Sequence, residues 1–235
     1  RDRAAIFVPS DVAPQETRDC LHEEIAQALG PLNDLYRLPD SVFNDDNIHT
    51  VLTGFDMLIL RAFYAPELKN GMTRGDVAAR LPALLSRLNP AGNRRQGRPQ
   101  NDTSRDWIDA METALANGGT PFKRRAAAQQ AVSLANAFGW SGTRVGFANY
   151  AFGRLQVGND SQAALDAFNA ANKAYQGEIN MKIHTAHITV QQAAFSLAAG
   201  DAETTIALAD ANVTVAARHQ NAALLATLKM FKAAA

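Results

Sequence analysis

The chain has 235 residues, 47% of them hydrophobic and 20% charged, which is ordinary for one large globular domain or two small ones. Lys+Arg and Asp+Glu both number 23, so no net field draws the molecule onto nucleic acid or an anionic membrane. Residues 1–104 carry 12 basic and 14 acidic side chains and the rest 11 and 9, which leaves no nucleic-acid footprint in either half, and a single cysteine, Cys20, excludes an intramolecular disulfide and a Cys-rich zinc site.

No apolar run approaches the roughly 18 residues of a membrane span. The chain opens on Arg1 with neither an initiator Met nor a signal peptide, and reads as a processed or truncated form. Residues 4–9 predict a short apolar strand ended by Pro9. A helix follows from about Gln15 to Leu29, with the apolar stripe Leu21, Ile25, Ala28 and Leu29, and Gly30-Pro31 stops it. Residues 31–51 are rich in turn formers. Helices are predicted from Thr53 to Tyr64 and from Thr73 through Val77, Leu81, Leu84, Leu85 and Leu88.

Residues 89–105 contain four arginines and nothing more apolar than one alanine. Such a stretch cannot offset an ordering cost of roughly 1–2 kcal/mol per residue and predicts a solvated linker, with a docking strip for an acidic partner as the sharper reading. Beyond it the pattern is helical and alanine-rich. Helices are expected near 105–117, 121–138, 142–156, 161–175, 179–199, 202–218 and 220–233, joined by short Gly, Asn and Asp turns that make neighbours antiparallel.

Two hairpins echo each other: AFGRLQVGND at 151–160 and AFSLAAGD at 194–201, each followed by an Ala-rich helix. This resembles the tetratricopeptide repeat, a helix pair with small residues where the helices touch. The offset of 41–42 residues is longer than the family's roughly 34, and its Trp and Pro positions are not met. The resemblance implies an α-solenoid-like bundle with a groove for a peptide.

Residues 23–34 read EEIAQALGPLND. The spacing resembles the metzincin zinc-protease pattern H-E-x-x-H-x-x-G-x-x-H. In that pattern two His one turn apart hold zinc, Glu is the general base, and Gly turns the chain so that a third ligand returns. On that alignment Glu24 stands at the general-base position and Gly30 at the turn. Glu23 and Gln27 replace the two helical His, and Asn33, followed by Asp34, replaces the third ligand. SVF at 41–43 resembles the family's S-x-M turn, and LTGFDMLILRAFY at 52–64 resembles its closing helix, L-T-x-x-D-x-x-x-L-x-x-L-Y. The same wording is similar to a bacterial domain family of unknown function associated with secreted or lipid-anchored proteins. That similarity alone implies a periplasmic, secreted or lipid-anchored location.

Oxygen ligands suit Ca²⁺ or Mg²⁺ better than Zn²⁺. The sequence therefore predicts no cofactor and no zinc, with calcium the weaker alternative and His22 and His49 the nearby His. The blander reading of Glu23, Glu24 and Gln27 is a hydrogen-bonded polar helix face. Asn44 to Asn47 reads as a turn, lacking EF-hand spacing. His184, His187 and His219 read as surface or packing residues, Trp140 as a core anchor, Lys123-Arg124-Arg125 as a solvated first turn, and Cys20 as a small core residue. Nucleotide-loop and nucleophile-elbow motifs are absent.

The expectation is thus a mainly α protein. Residues 1–90 form a degenerate metzincin-like (zincin-like) helical half-domain, 91–105 a linker, and 106–235 an antiparallel, tetratricopeptide-like helical-repeat bundle. The expected function is a non-catalytic, pseudo-metalloprotease scaffold or adaptor for a protein or peptide in a bacterial cell-envelope assembly, with Glu23, Glu24, Gln27, Asn33 and Asp34 as a remnant cleft. The alternatives are a diverged metal-dependent hydrolase with Glu24 as general base, and an accessory subunit of a larger complex. Neither nucleic acid nor a transmembrane segment is expected, and the oligomeric state stays open.

Overall fold

The computed structural model describes residues 3–8, 10–32, 34–44, 48–94, 101–178 and 180–235. The chain is mainly α: the described residues hold ten α-helices and no strand. It divides into two compact units, Arg1–Asn101 and Asp102–Ala235.

The first unit contains α1 (Pro14–Ala28), α2 (Gly54–Phe63), α3 (Arg74–Leu88) and a 3-10 turn, Pro90–Arg94. Local chemistry sets the helix starts. Thr53 caps α2 and Thr73 caps α3, and the carboxylates of Asp56 and Asp76 reach back to the capping N–H groups at 2.7 and 3.0 Å. Each reciprocal pair satisfies donors that a helix end otherwise leaves unpaired. α2 and the loop before it pack on α1 through Ala26, Val42 and Phe43, with Leu38, Leu52, Ile59 and Leu60 around them. α3 packs on the end of α2 through Ala62, Ala65 and Leu84.

Two expectations fail in this unit. The strand at 4–9 is not formed among its described residues: 4–8 have no regular structure, and Phe7 is 91% exposed. A lone apolar run with no neighbouring strand leaves its backbone groups to water and gains nothing over coil. α1 is also rotated from the predicted stripe. Ala26 is 1% exposed, whereas Ile25 and Leu29 are 47% and 45% exposed. The small Ala26 side chain admits close approach of Val42 and Phe43, and His22, one turn earlier, satisfies its ring by lying 2.7 Å (Nδ1) from the Thr50 carbonyl. Leu and Ile dominate a hydrophobic pattern, but here Ala carries the contact.

The predicted linker carries local structure where it is described. Residues 90–94 form the 3-10 turn, held by Gly92 N–H on the Asn89 carbonyl (2.9 Å) and the Asn93 amide on Ser86 Oγ (2.6 Å). Residues 95–100 lie outside the described residues, and a helix begins at Arg105.

The second unit is α4 (Arg105–Leu115), α5 (Pro121–Ala137), α6 (Thr143–Gln156), α7 (Ser161–Tyr175), α8 (Lys182–Ala198), α9 (Ala202–Arg218) and α10 (Ala222–Ala234). Each helix packs on the next, and α4 also meets α6, as α8 meets α10. The turns repeat one chemistry. Gly158 and Gly200 take positive φ, and Asp160 and Asp201 then cap α7 and α9 through the N–H groups of Ala163 and Thr204 (2.9 and 3.0 Å). Asn221 does the same for Leu224 (2.9 Å), after Gln220 at φ 55. Helix spacing is set by small residues: a Cβ on Gly153 would lie 2.7 Å from the Phe168 ring, so α7 approaches α6 closely only because glycine is there. Phe168 is fully buried with Ala164, Ala171, Tyr175 and Ile188, contributing roughly 1.5–3 kcal/mol by burial. No helix among the described residues is long and apolar enough to cross a membrane.

Candidate functional site

Two regions gather polar side chains, one in each unit. In the first unit, Asp56 is wholly buried. Its carboxylate accepts from Ser41 Oγ–H (2.6 Å), Val42 N–H (3.1 Å) and Thr53 N–H (2.7 Å), and Ser41 Oγ in turn accepts from Phe43 N–H (2.9 Å). Thr53 Oγ1–H donates to the Asp40 carbonyl at 2.9 Å. The 41–43 turn is thereby clamped to the N-terminus of α2, whose unpaired N–H groups and dipole favour a carboxylate. His49 is buried beside this clamp, its Nε2 3.4 Å from the Pro39 carbonyl and 3.5 Å from Asp40 Oδ1. Burial pulls its pKa below the ordinary value, against the opposing pull of Asp40 and Asp56. His22 and His49, the two His near the metzincin-like stretch, are thus both engaged with backbone carbonyls.

The predicted cleft residues are brought together in part. Glu23, Glu24 and Gln27 are half-buried on α1. Gln27 Nε2–H donates to Asp34 Oδ1 at 2.6 Å, which ties the helix to the returning chain. Asn33 lies outside the described residues, as do Asp45, Asp46 and Asn47 of the predicted turn. Gly30 makes the sharp exit from α1: a Cβ there would run into the Phe63 ring, and Tyr64 Oη–H closes the corner on the Leu29 carbonyl at 2.6 Å. Cys20 is half-buried rather than a core residue. Burial, then the carboxylates of Glu24 and Glu23, push its thiol pKa up, the opposite of what a nucleophilic thiolate requires. Among the described residues, no group of three or more His, Cys, Asp and Glu is placed to hold a metal ion.

In the second unit, α4 and α5 enclose an open groove of about 460 Å³. Asp106, Asp109 and Thr113 line it from α4, and Lys123, Gln130 and Leu134 from α5, over a floor of Ala110, Ala126 and Ala127. The signal is in the sequence: 106, 109 and 113, and 123, 126/127, 130 and 134, follow helical spacing along two adjacent helices. Read as separate charge clusters they do not announce a groove. Of the basic triplet, Lys123 lines the groove. Arg124 is half-buried and donates through Nε–H to the Ala114 carbonyl (2.9 Å) at the C-terminal end of α4, where a cation is favoured. Trp140 packs on the fully buried Trp107 (5.8 Å between rings), with the Arg144 guanidinium 3.8 Å above its ring. His184 is buried against Tyr175 (5.3 Å between rings), and His187 Nε2 lies 3.5 Å from the Asn221 amide.

Residues 1–83 match the model of a family described as "Protein of unknown function (DUF2927)". The resemblance to a domain family of unknown function therefore stands for that segment, and that description assigns no activity. No curated protein and no solved structure matches the chain.

Proposed function

We propose that the protein is a non-catalytic binding scaffold: a degenerate, metzincin-like first unit joined to a tetratricopeptide-like helical module that docks a protein partner, in a bacterial cell-envelope assembly. The observation that carries this reading is the α4–α5 groove. Its walls run for about 10 Å on α4 (Asp106 to Thr113) and about 16 Å on α5 (Lys123 to Leu134) at 1.5 Å per residue. Those lengths accept two to three turns of a helix, a recurrent mode of peptide recognition. The floor is alanine, which lets another backbone approach closely, and the rim carries charge that orients what enters. In the first unit, the Gln27–Asp34 hydrogen bond and the engagement of His22 and His49 give the polar side chains structural duties. That is the chemistry of a retained framework rather than of a reacting centre.

The test is a photo-crosslinking residue at Gln130 in the groove, with the exposed Gln162 on α7 as control, in the full chain inside the producing cell. A discrete protein adduct from position 130 and none from 162 is expected. Equal labelling at both positions would remove the basis for the reading.

A further inference from the structure

The two ends of the α4–α5 groove carry opposite charge. Asp106 stands in the first turn of α4 and Lys123 in the first turn of α5, and both are exposed. The register of the two helices is fixed next to Lys123, where Arg124 donates through Nε–H to the Ala114 carbonyl at 2.9 Å. Ala114 is eight residues along α4 from Asp106, which sets the two charges about 12 Å apart along the groove at 1.5 Å per residue. Asp109 is committed to Arg105 at 2.6 Å, but neither Asp106 nor Lys123 has an ion-pair partner among the described residues. A cation in a first turn also opposes the helix dipole, so α5 gains nothing from Lys123 by itself. Beside it Phe122 is 76% exposed and falls about 40° around the helix from Ala126 of the groove floor. An aromatic side chain at the rim of a groove is a residue type that anchors interfaces.

We propose that the groove takes a helix of a partner protein whose contact face carries one acidic and one basic residue two turns apart, with small residues between them, the acid over Lys123 and the base over Asp106. This deepens the scaffold reading and rests on the groove being a protein-binding surface. Spacing supports it: two helical turns rise about 11 Å, close to the separation of the two charges. The partner's residues between them then lie over Ala110, Ala126 and Ala127, and the two backbones come close only if those residues are small. Charge narrows the occupant further. A segment of one sign would set a like charge against one end of the groove whichever way it lay. A polybasic strip would meet Lys123, and a nucleic acid or an anionic lipid surface would meet Asp106. A mixed pair in the right spacing is the arrangement that leaves neither end opposed, and its acidic end lies beside the Phe122 ring.

The probes are three stapled, alanine-based helices of about 15 residues, each with a fluorophore at one end. At two positions seven residues apart they carry a glutamate and a lysine, two glutamates, or two lysines. Fluorescence anisotropy with the full chain should show the mixed helix binding about tenfold more tightly than either single-sign helix, and the difference should shrink in high salt. In Asp106→Lys the two-glutamate helix should become the tightest, and in Lys123→Glu the two-lysine helix. Each such exchange of preference also shows that the variant is folded. Equal binding of the three helices, no binding by any of them, or preferences that the two variants leave unchanged would overturn the proposal. If that happens while Gln130 crosslinks a protein, the charge pattern assigned to the partner falls and the scaffold reading survives. If Gln130 crosslinks no protein at all, the scaffold reading falls too.

Discussion

Replacing Asp56 by alanine should unfold the first unit's framework selectively. The carboxylate accepts three hydrogen bonds, from Ser41 Oγ–H, Val42 N–H and Thr53 N–H, at zero exposure. Bonds to a charged acceptor contribute about 1.5–3 kcal/mol each, and each buried donor left without a partner costs about 1–3 kcal/mol. These losses overlap, so the three do not sum. A loss of about 4 kcal/mol is expected, in the range of a broken buried polar network. Ser41→Ala removes one of the three bonds and should cost about 1–1.5 kcal/mol. Both tryptophans, Trp107 and Trp140, lie in the second unit, so tryptophan fluorescence does not see the event. Hydrogen exchange followed by mass spectrometry does. Peptides spanning 38–60 should exchange about a thousandfold faster in Asp56→Ala, at about 1.4 kcal/mol per decade. Peptides from α6 to α9 should keep the parent's rates. Exchange in 38–60 within threefold of the parent would refute the reasoning, since the carboxylate would then hold nothing that water cannot replace.

Acid should weaken the first unit through His49. Burial holds its folded pKa below the unfolded value of about 6.5. The unfolded chain therefore takes up a proton that the folded one refuses, and stability, complete above pH 6.5, declines as pH falls from there toward the depressed folded value. Protection factors in 38–60, which correct for the intrinsic slowing of exchange in acid, should fall between pH 7.5 and 5.5, and His49→Gln should flatten that dependence. Gly30→Ala should cost the first unit about 1–3 kcal/mol through the collision with the Phe63 ring, and adding Phe63→Ala should return part of it. In the second unit, Gly153→Ala presses on the Phe168 ring and the Ala164 carbonyl. It should lower the urea midpoint read by tryptophan fluorescence, by about 1–3 kcal/mol. Elemental mass spectrometry on protein purified without chelators should find no stoichiometric zinc. Zinc that disappears on Glu23→Ala or Gln27→Ala would instead favour a hydrolase with Glu24 as its base.

The helices were legible because their ends are written in residue chemistry. Thr53, Thr73, Thr120, Asp160, Asp201 and Asn221 all stand at N-caps and all accept the expected N–H. Facing was less legible. The α1 stripe misled because Leu21, Ile25 and Leu29 outweigh Ala26 on any hydrophobicity scale. Which face is buried was decided by close approach and by a His22–Thr50 bond spanning 28 residues, and no local pattern encodes a partner that distant. The Gln27–Asp34 pair was nearer the surface of the text, because seven residues separate the two and Gly30 turns the chain between them. The groove was least visible: a third of its lining is alanine, which reads as filler, and its two charged walls lie on different helices.

Alanine also explains why the second unit has surfaces to offer. Its inner contacts rely on Ala110, Ala114, Ala127, Ala128, Ala131 and Ala135 in the first hairpin, and on Ala164, Ala167 and Ala171 in α7. Each contributes little area, so cohesion comes from backbones lying close together and from a few large anchors such as Trp107 and Phe168. A helix stacked this way looks much the same on its buried and exposed sides: α10 repeats on its solvent face the small-residue pattern that its neighbours bury. In a Leu-rich bundle the outer faces would have to be strongly polar to prevent promiscuous association. Here weak apolar faces tolerate water, and the charges stand singly at the rim of the groove, as Asp106 and Asp109 do on α4 and Lys123 on α5.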